Sequence, residues 1–240
     1  MSNLYLIRHG QAGTRDAYDA LSDLGCRQCR LLGEYFASQA IKFAAAYAGE
    51  MSRHQQTAAE TITGYGVTGF PELVTDAGWN EFDLVRLYRE IAPRLSSEDN
   101  NFRRDYETMR EQVMASRGAD QAAVHRRWLP CDTAVVNAWI EGEGDPAGES
   151  WESFHQRVVA TRPKFDAAQR NDNIAVFTSA TPIAIWTGLA FEVTDARLMK
   201  FAGVLHNASF SVVQIRDDVL RLFSFNAVPH LPSPELRTFR

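Results

Sequence analysis

Apolar and polar positions alternate along the chain in two distinct rhythms. The opening run Leu4-Tyr5-Leu6-Ile7 is closed by Arg8-His9-Gly10, and a short apolar run with aromatic and β-branched members ended by glycine predicts a buried strand. Ser22 then stands as an N-cap before Leu24, Leu31, Leu32, Tyr35 and Phe36, whose spacing predicts a helix over about 22–39. Phe43 to Ala48 reads as a second buried strand, and Ser52-Arg53-His54-Gln55-Gln56-Thr57-Ala58 opens a second helix ending near Gly64. Glu72 to Asp76 reads as a third strand leading into Gly78-Trp79-Asn80-Glu81-Phe82-Asp83. Strand, helix, strand, helix implies parallel pairing in a layered α/β architecture.

Between about 84 and 148 the strand-like runs stop, helix formers dominate and charges of both signs alternate. This predicts an inserted helical cap, divided into four helices at Pro93, Gly118 and Pro130. The α/β rhythm resumes with a helix from Glu149 to Ala168, a strand from Ile174 to Phe177 and a helix opened by Thr181-Pro182, where proline suits the first turn. Phe210 to Ile215 and Val219 to Phe225 read as two strands joined by a turn at Asp217-Asp218. The expected fold is a three-layer α/β/α sandwich: one domain over 1–240, a mainly parallel sheet with helices on both faces, and the cap at 84–148.

Composition narrows what such a fold can serve. The chain has 240 residues, 45% of them hydrophobic, enough for a substantial core, and its formal net charge of -5 argues against nucleic acid as a partner. No apolar run is long enough for a membrane span and no leader pattern precedes the first strand, so a cytoplasmic location with no membrane partner is expected. Cys26-x-x-Cys29 falls inside a helical pattern without a second pair or histidine cluster, which favours packing over metal or redox chemistry. Oligomeric state has no signature in the sequence.

The candidate chemistry begins at Arg8 and His9. Open α/β sheets bind ligands outside the carboxyl ends of their strands, which is where both residues fall. Arg53, at the start of the helix that follows the second strand, can converge on the same edge. Two guanidiniums around one imidazole suit a tetrahedral oxyanion, and a helix N-terminus adds oriented N–H donors. His54 adjoins Arg53 but points about 100° away from it on a helix, so helix surface or packing is its expected role. His206 and His230 read as structural. The aromatic residues of the insertion read as a small core, and Arg103-Arg104 and Arg126-Arg127 as solvated helix faces.

Leu6-Ile7-Arg8-His9-Gly10-Gln11-Ala12, Leu21-Ser22-x-x-Gly25, Ser52-Arg53-x-x-Gln56-Thr57-Ala58, Gly148-Glu149-Ser150 and Asn207-Ala208-Ser209 together resemble the histidine phosphatase superfamily, also called phosphoglycerate-mutase-like, in order and spacing outside the insertion. The resemblance implies a phosphohistidine mechanism: His9 attacks phosphorus, Arg8 and Arg53 hold the equatorial oxygens, and a carboxylic acid protonates the leaving oxygen. No metal or cofactor is called for. Glu81 matches the acid's place, its flanking aromatics raising its pKa by desolvation, with Asp83 and Asp76 as reserves.

One departure from the pattern lies at Thr178-Ser179-Ala180-Thr181. There the family usually carries a second histidine followed by glycine, and Ser179, or Ala180 under a one-residue shift, takes its place. Losing one preorganised donor commonly costs on the order of a hundred- to a thousandfold in rate, although the Ser179 and Thr181 hydroxyls and the helix N–H groups offer partial replacement, with Gln11 as a further contact. The expected activity is metal-independent hydrolysis of a phosphomonoester, with a small phosphorylated substrate or inorganic phosphate as partner. Two alternatives stand beside it: a pseudoenzyme that binds a phosphorylated ligand without turnover, and a phosphomutase, the latter disfavoured because Gln11-Ala12-Gly13-Thr14 lacks the Ser and Asn usual in mutases.

Overall fold

A computed structural model describes residues 2–15, 17–66, 68–116, 123–144, 147–165, 172–191, 193–216 and 219–239. In chain order the elements are β1 (Ser2–Arg8), α1 (Asp23–Ser38), β2 (Ala45–Ala48), α2 (Ser52–Tyr65), β3 (Leu73–Thr75), α3 (Leu84–Glu98), α4 (Asn100–Ala115), α5 (Ala123–Arg126), α6 (Pro130–Ile140) and α7 (Trp151–Val159). They continue with β4 (Asn173–Thr178), α8 (Ala180–Leu189), α9 (Asp195–Ala202), β5 (Phe210–Arg216) and β6 (Val219–Ala227). No described helix is long and apolar enough to cross a membrane.

The chain divides into two compact units. The first comprises residues 1–12, 19–81 and 158–239 and holds a six-stranded mixed sheet in the order β3-β2-β4-β1-β5-β6. β3, β2, β4 and β1 run parallel, and β5 and β6 are antiparallel additions on the far side of β1. Side chains alternate between the two faces of a strand. Ile7, Ala46, Ala48, Ala175 and Phe177 therefore face Leu32 and Phe36 of α1 and Ala58 of α2. The opposite face carries Tyr47 against Phe165, and a stack of Trp79 on Trp186 of α8, the latter pair with centroids 5.9 Å apart. Helices thus cover both faces of the sheet, giving the α/β architecture the sequence predicts.

Parallel register decides what meets at the sheet's carboxyl edge. Arg8 pairs with Thr178 and Ala48 with Phe177, so the ends of β1, β4 and β2 finish side by side although they are far apart in sequence. Beneath that edge α1 and α2 touch through glycines. A Cβ on Gly33 would run into the Thr61 carbonyl and one on Gly64 into the Arg30 carbonyl.

The second unit comprises residues 13–18 and 82–157 and contains helices α3 to α6. Phe82, Trp139, Trp151 and Phe154 form its aromatic core, with Phe82 and Trp139 centroids 5.0 Å apart. This is the small core expected of the insertion's aromatics, although Trp128 is exposed. A buried Arg15–Asp132 ion pair at 2.6 Å is completed by the Tyr88 hydroxyl, which donates to Asp132 Oδ1 at 2.7 Å.

Several element bounds differ from expectation. Pro93 divides nothing: it lies inside α3, where burial of Leu87, Ile91 and Ala92 outweighs one missing helical hydrogen bond. The break comes instead at Asp99, whose carboxylate accepts from the Asn101 N–H at 2.7 Å. The helix expected over 149–168 ends at Val159, and a 3-10 turn (Arg162–Phe165) follows, because Pro163 disfavours a helix interior. β2 starts at Ala45 rather than Phe43. α9 has no counterpart among the predicted elements, its eight residues offering too short a periodic signal. Gly118, the turn at Asp217-Asp218 and the stretch 166–168 lie outside the described residues. Cys29 is buried and its thiol is pushed up to about 12 by burial, in keeping with packing rather than thiolate chemistry.

If the α1–α2 contact is as close as these glycines require, Gly33→Ala will lower unfolding free energy by about 1–3 kcal/mol through overpacking. Urea denaturation of the two proteins checks this.

Candidate active site

His9 follows the last residue of β1, and three backbone contacts clamp it. Its N–H donates to the Thr178 carbonyl at 2.9 Å, and its own carbonyl accepts from the Ala208 N–H at 3.1 Å and the Asn207 side-chain amide at 3.4 Å. The ring is held as well, with Nδ1 2.8 Å from the Gly10 carbonyl oxygen. A carbonyl can only accept, so Nδ1 carries the proton in the neutral ring and Nε2 carries the lone pair. Burial first, then the charges of Arg53 and Arg8 and the neighbouring His54, hold His9 well below the usual histidine range. The imidazole is therefore neutral at neutral pH.

The residues after His9 need a tight backbone. The Gly10 N–H donates to Thr57 Oγ1 at 3.1 Å, and a Cβ at Gly10 would sit 2.6 Å from the Gly25 carbonyl oxygen and 2.7 Å from Cys29 Sγ. The N-terminus of α1 is pressed against this segment, and only glycine leaves room. Gln11 is buried in the same contact: its N–H donates to Gln28 Oε1 at 2.9 Å, and its side-chain Oε1 accepts from Ser22 Oγ at 2.9 Å.

Both arginines are buried. Arg8 donates to the Leu205 carbonyl, and Arg53, in the first turn of α2, pairs with Asp19 Oδ1 at 3.0 Å. His54 is fully buried, in keeping with packing and not with the helix surface, but it does more than pack: its Nε2 stands 2.6 Å from Ser179 Oγ, and its ring centroid is 6.0 Å from that of His9. The first turn of α2 starts at the crowded edge of the sheet, so two residues pointing about 100° apart both meet protein. An imidazole beside Arg53 directly after a buried strand was the available signal.

The third contribution comes from the start of α8. Ser179 caps that helix in extended conformation without bonding its own backbone, Ala180 is the first helical residue, and the Thr181 N–H donates to Glu81 Oε2 at 3.1 Å. Glu81 is partly buried, and the N-terminus of α8 donates to its carboxylate. The two reserve carboxylates are engaged elsewhere. Asp83 caps α3 through the Arg86 N–H, and Asp76 accepts from the Gly78 N–H and pairs with Lys164. His206 lies on Phe239, with its N–H bonded to Asn226, and His230 is buried beside Tyr35 and Phe210. Both have the structural surroundings expected of them.

The arrangement thus gathers a neutral, tautomer-fixed imidazole, two guanidiniums and a helix N-terminus at one sheet edge, all within the first unit. Such a set can hold a tetrahedral oxyanion and attack it.

The family model for the histidine phosphatase superfamily (branch 1) matches residues 4–139 and 130–228. A comparison with curated proteins finds no match. Among solved structures, the chain is similar to the alpha-ribazole phosphatase from Shigella flexneri at 16% identity and TM-score 0.59, covering 94% of this chain and 96% of that one. It is similar also to the mycobacterial glucosyl-3-phosphoglycerate phosphatase in complex with inorganic phosphate, at 17% identity and TM-score 0.59, covering 95% and 98%. Phosphoserine phosphatase from Entamoeba histolytica in complex with 3-phosphoglyceric acid aligns at 17% identity and TM-score 0.57, covering 96% and 100%. At these identities the structural likeness is one of fold.

Burial lowers the pKa of His9, His54 and His230, the last to about 4. The unfolded chain takes up protons on these rings near pH 6.5 while the folded chain does not, so stability is lost as pH falls below about 6.5. His230→Phe, which removes one such ring remote from His9 in sequence, should flatten that decline by about 1.4 kcal/mol per pH unit between about 6.5 and the folded value. Urea unfolding of both proteins across that range measures it.

Proposed function

This chain belongs to the histidine phosphatase superfamily, whose members are phosphatases or mutases, and on that premise we propose that it hydrolyses a small phosphomonoester without a metal through a phosphohistidine on His9. The observation that carries this reading is the state of His9: a neutral ring whose proton is tied to Gly10, beside two buried arginines.

In the first step the Nε2 lone pair attacks phosphorus and the P–O bond to the leaving alcohol breaks. Arg8 and Arg53 balance charge on the equatorial oxygens, which is most of what phosphoryl transfer asks of a protein. Ser179, with the Thr181 hydroxyl, Gln11 and the backbone around Ala180 in support, adds neutral donors. Glu81 gives its proton to the leaving oxygen. In the second step Glu81 takes a proton from water, the water oxygen attacks phosphorus, the P–N bond breaks and phosphate departs. Splitting one displacement into two in this way replaces a hard step with easier ones. The structural neighbours include a phosphoserine phosphatase and a glucosyl-3-phosphoglycerate phosphatase, named for small phosphorylated compounds, which supports a substrate of that class.

The test is metal-free hydrolysis of an aryl phosphate and a phosphomonoester panel by wild type and His9→Ala, with trapping of acid-labile phosphoenzyme. Turnover and trapping that both vanish in His9→Ala are the expected result. Phosphate binding that needs Arg8 and Arg53 without any phosphoenzyme would replace the reading with that of a binding pseudoenzyme. Efficient transfer to an added alcohol in place of water would replace it with a mutase.

Glu81→Gln discriminates the acid's role by leaving group. Its kcat should fall about 10²–10⁴-fold for alkyl phosphates, whose leaving oxygen needs a proton, and much less for 4-nitrophenyl phosphate. Equal losses on both substrates would remove Glu81 from that role.

A further inference from the structure

The contact between His54 and Ser179 joins two residues 125 positions apart, and hydrogen-bond accounting fixes its direction. Nε2 of His54 and Oγ of Ser179 are 2.6 Å apart, and either atom could be the donor. The other ring nitrogen decides between them. His54 Nδ1 is buried with no hydrogen-bond partner, and it faces Gly49 so closely that a Cβ there would run into it. A proton on Nδ1 would be a buried donor without an acceptor, a loss of about 1–3 kcal/mol. A bare lone pair in that position is the better-tolerated defect. The ring is also neutral, because burial and the adjacent Arg53 disfavour a second proton. The neutral ring therefore carries its proton on Nε2, and Nε2–H donates to Ser179 Oγ.

That direction leaves the Ser179 hydroxyl proton with another destination. Ser179 is almost completely buried, is extended rather than helical, and as the N-cap residue of α8 makes no side-chain hydrogen bond to that helix's backbone. It directly follows Thr178, the residue whose carbonyl holds the His9 N–H, and its partner His54 lies with its ring 6.0 Å from the His9 ring. We propose that His54 is a positioning residue: by donating to Ser179 Oγ it turns the hydroxyl so that its proton is presented to an oxygen of the phosphoryl group held at His9. Ser179 is then the group that touches substrate, and His54 acts only through it. The inference rests on the reading of His9 as the phosphoryl acceptor for its kinetic readout, but not for the tautomer or for anion binding.

Two measurements test it. Nitrogen-15 NMR of the wild-type protein, with His54 assigned by comparison with His54→Gln, should show a neutral ring protonated at Nε2. A ring protonated at Nδ1 overturns the proposal, since Ser179 would then be donating to His54. The second measurement uses Ser179→Ala, His54→Ala, the double variant and His54→Gln, whose amide N–H can reach the place of Nε2–H. In aryl phosphate hydrolysis Ser179→Ala should lower kcat by about a hundredfold with little change in KM. His54→Ala should lower it comparably, the double variant no further, and His54→Gln should recover most of the loss.

Additive losses, or a His54→Ala loss that His54→Gln does not relieve, overturn the positioning role, and unfolding midpoints of the variants identify losses that come from folding alone. Should wild-type turnover survive His9→Ala, or be absent, the phosphatase reading fails by itself. Calorimetric titration with orthovanadate then decides the inference: Ser179→Ala and His54→Ala must weaken binding by the same factor, with His54→Gln restoring it, and unchanged affinities overturn the proposal.

Discussion

The parallel pairing of β1 with β4 is the constraint on which the site depends. That ladder runs from Asn3 opposite Asn173 to Arg8 opposite Thr178, and one further backbone bond, His9 N–H to the Thr178 carbonyl, carries it past the end of the strand. A one-residue slip would send every side chain of β1 to the wrong face. It would bury Arg8 and His9 among hydrocarbon or expel them. Because Leu4, Leu6, Tyr5 and Ile7 fill opposite faces of a sheet covered on both sides, the register is fixed by packing, and the position of the imidazole follows from it.

The remaining groups arrive by the same logic from other strands. β2 also pairs with β4, so the first turn of α2 delivers Arg53 and His54 next to the end of β1, and the first turn of α8 delivers Ser179 and the Glu81 anchor from the end of β4. Glycine at 10 and 25 lets α1 press on the loop that follows His9. The site is thus made of chain ends and first turns, where N–H groups are unspent within the helix and point outward.

How much of this could be read beforehand follows from the range of each signal. The β1 run and the arginine at the head of α2 are local patterns: a few residues whose types and spacing announce both the element and its end, whereas the acid after β3 is legible only through the resemblance to the family. The local patterns put Arg8, His9 and Arg53 on one edge, where the structure brings them together, and the structure sets Glu81 on the α8 terminus beside Ser179. The His54–Ser179 contact was missed because helical geometry alone says that neighbours diverge, whereas what surrounds a first turn depends on strands distant in sequence. Pro93 misled for a related reason: a proline's local penalty is readable, but the buried face that outweighs it is not. At Pro163 the chain behaves differently: α7 stops at Val159, four residues earlier, although Trp151, Phe154 and Val158 line a buried face of it.

The tautomer lock on His9 has a consequence for the bond that such a nitrogen forms. Burial and two adjacent guanidiniums make the ring a weaker base, and basicity governs departure as well as attack. A phosphoramidate on a weakly basic nitrogen is correspondingly labile, because the ring leaves readily as a neutral group with its Nδ1 proton still tied to Gly10. Under the mechanism proposed above, the environment that makes attack available at neutral pH would trade some nucleophilic strength for a short-lived adduct. That balance suits passing the group onward over storing it.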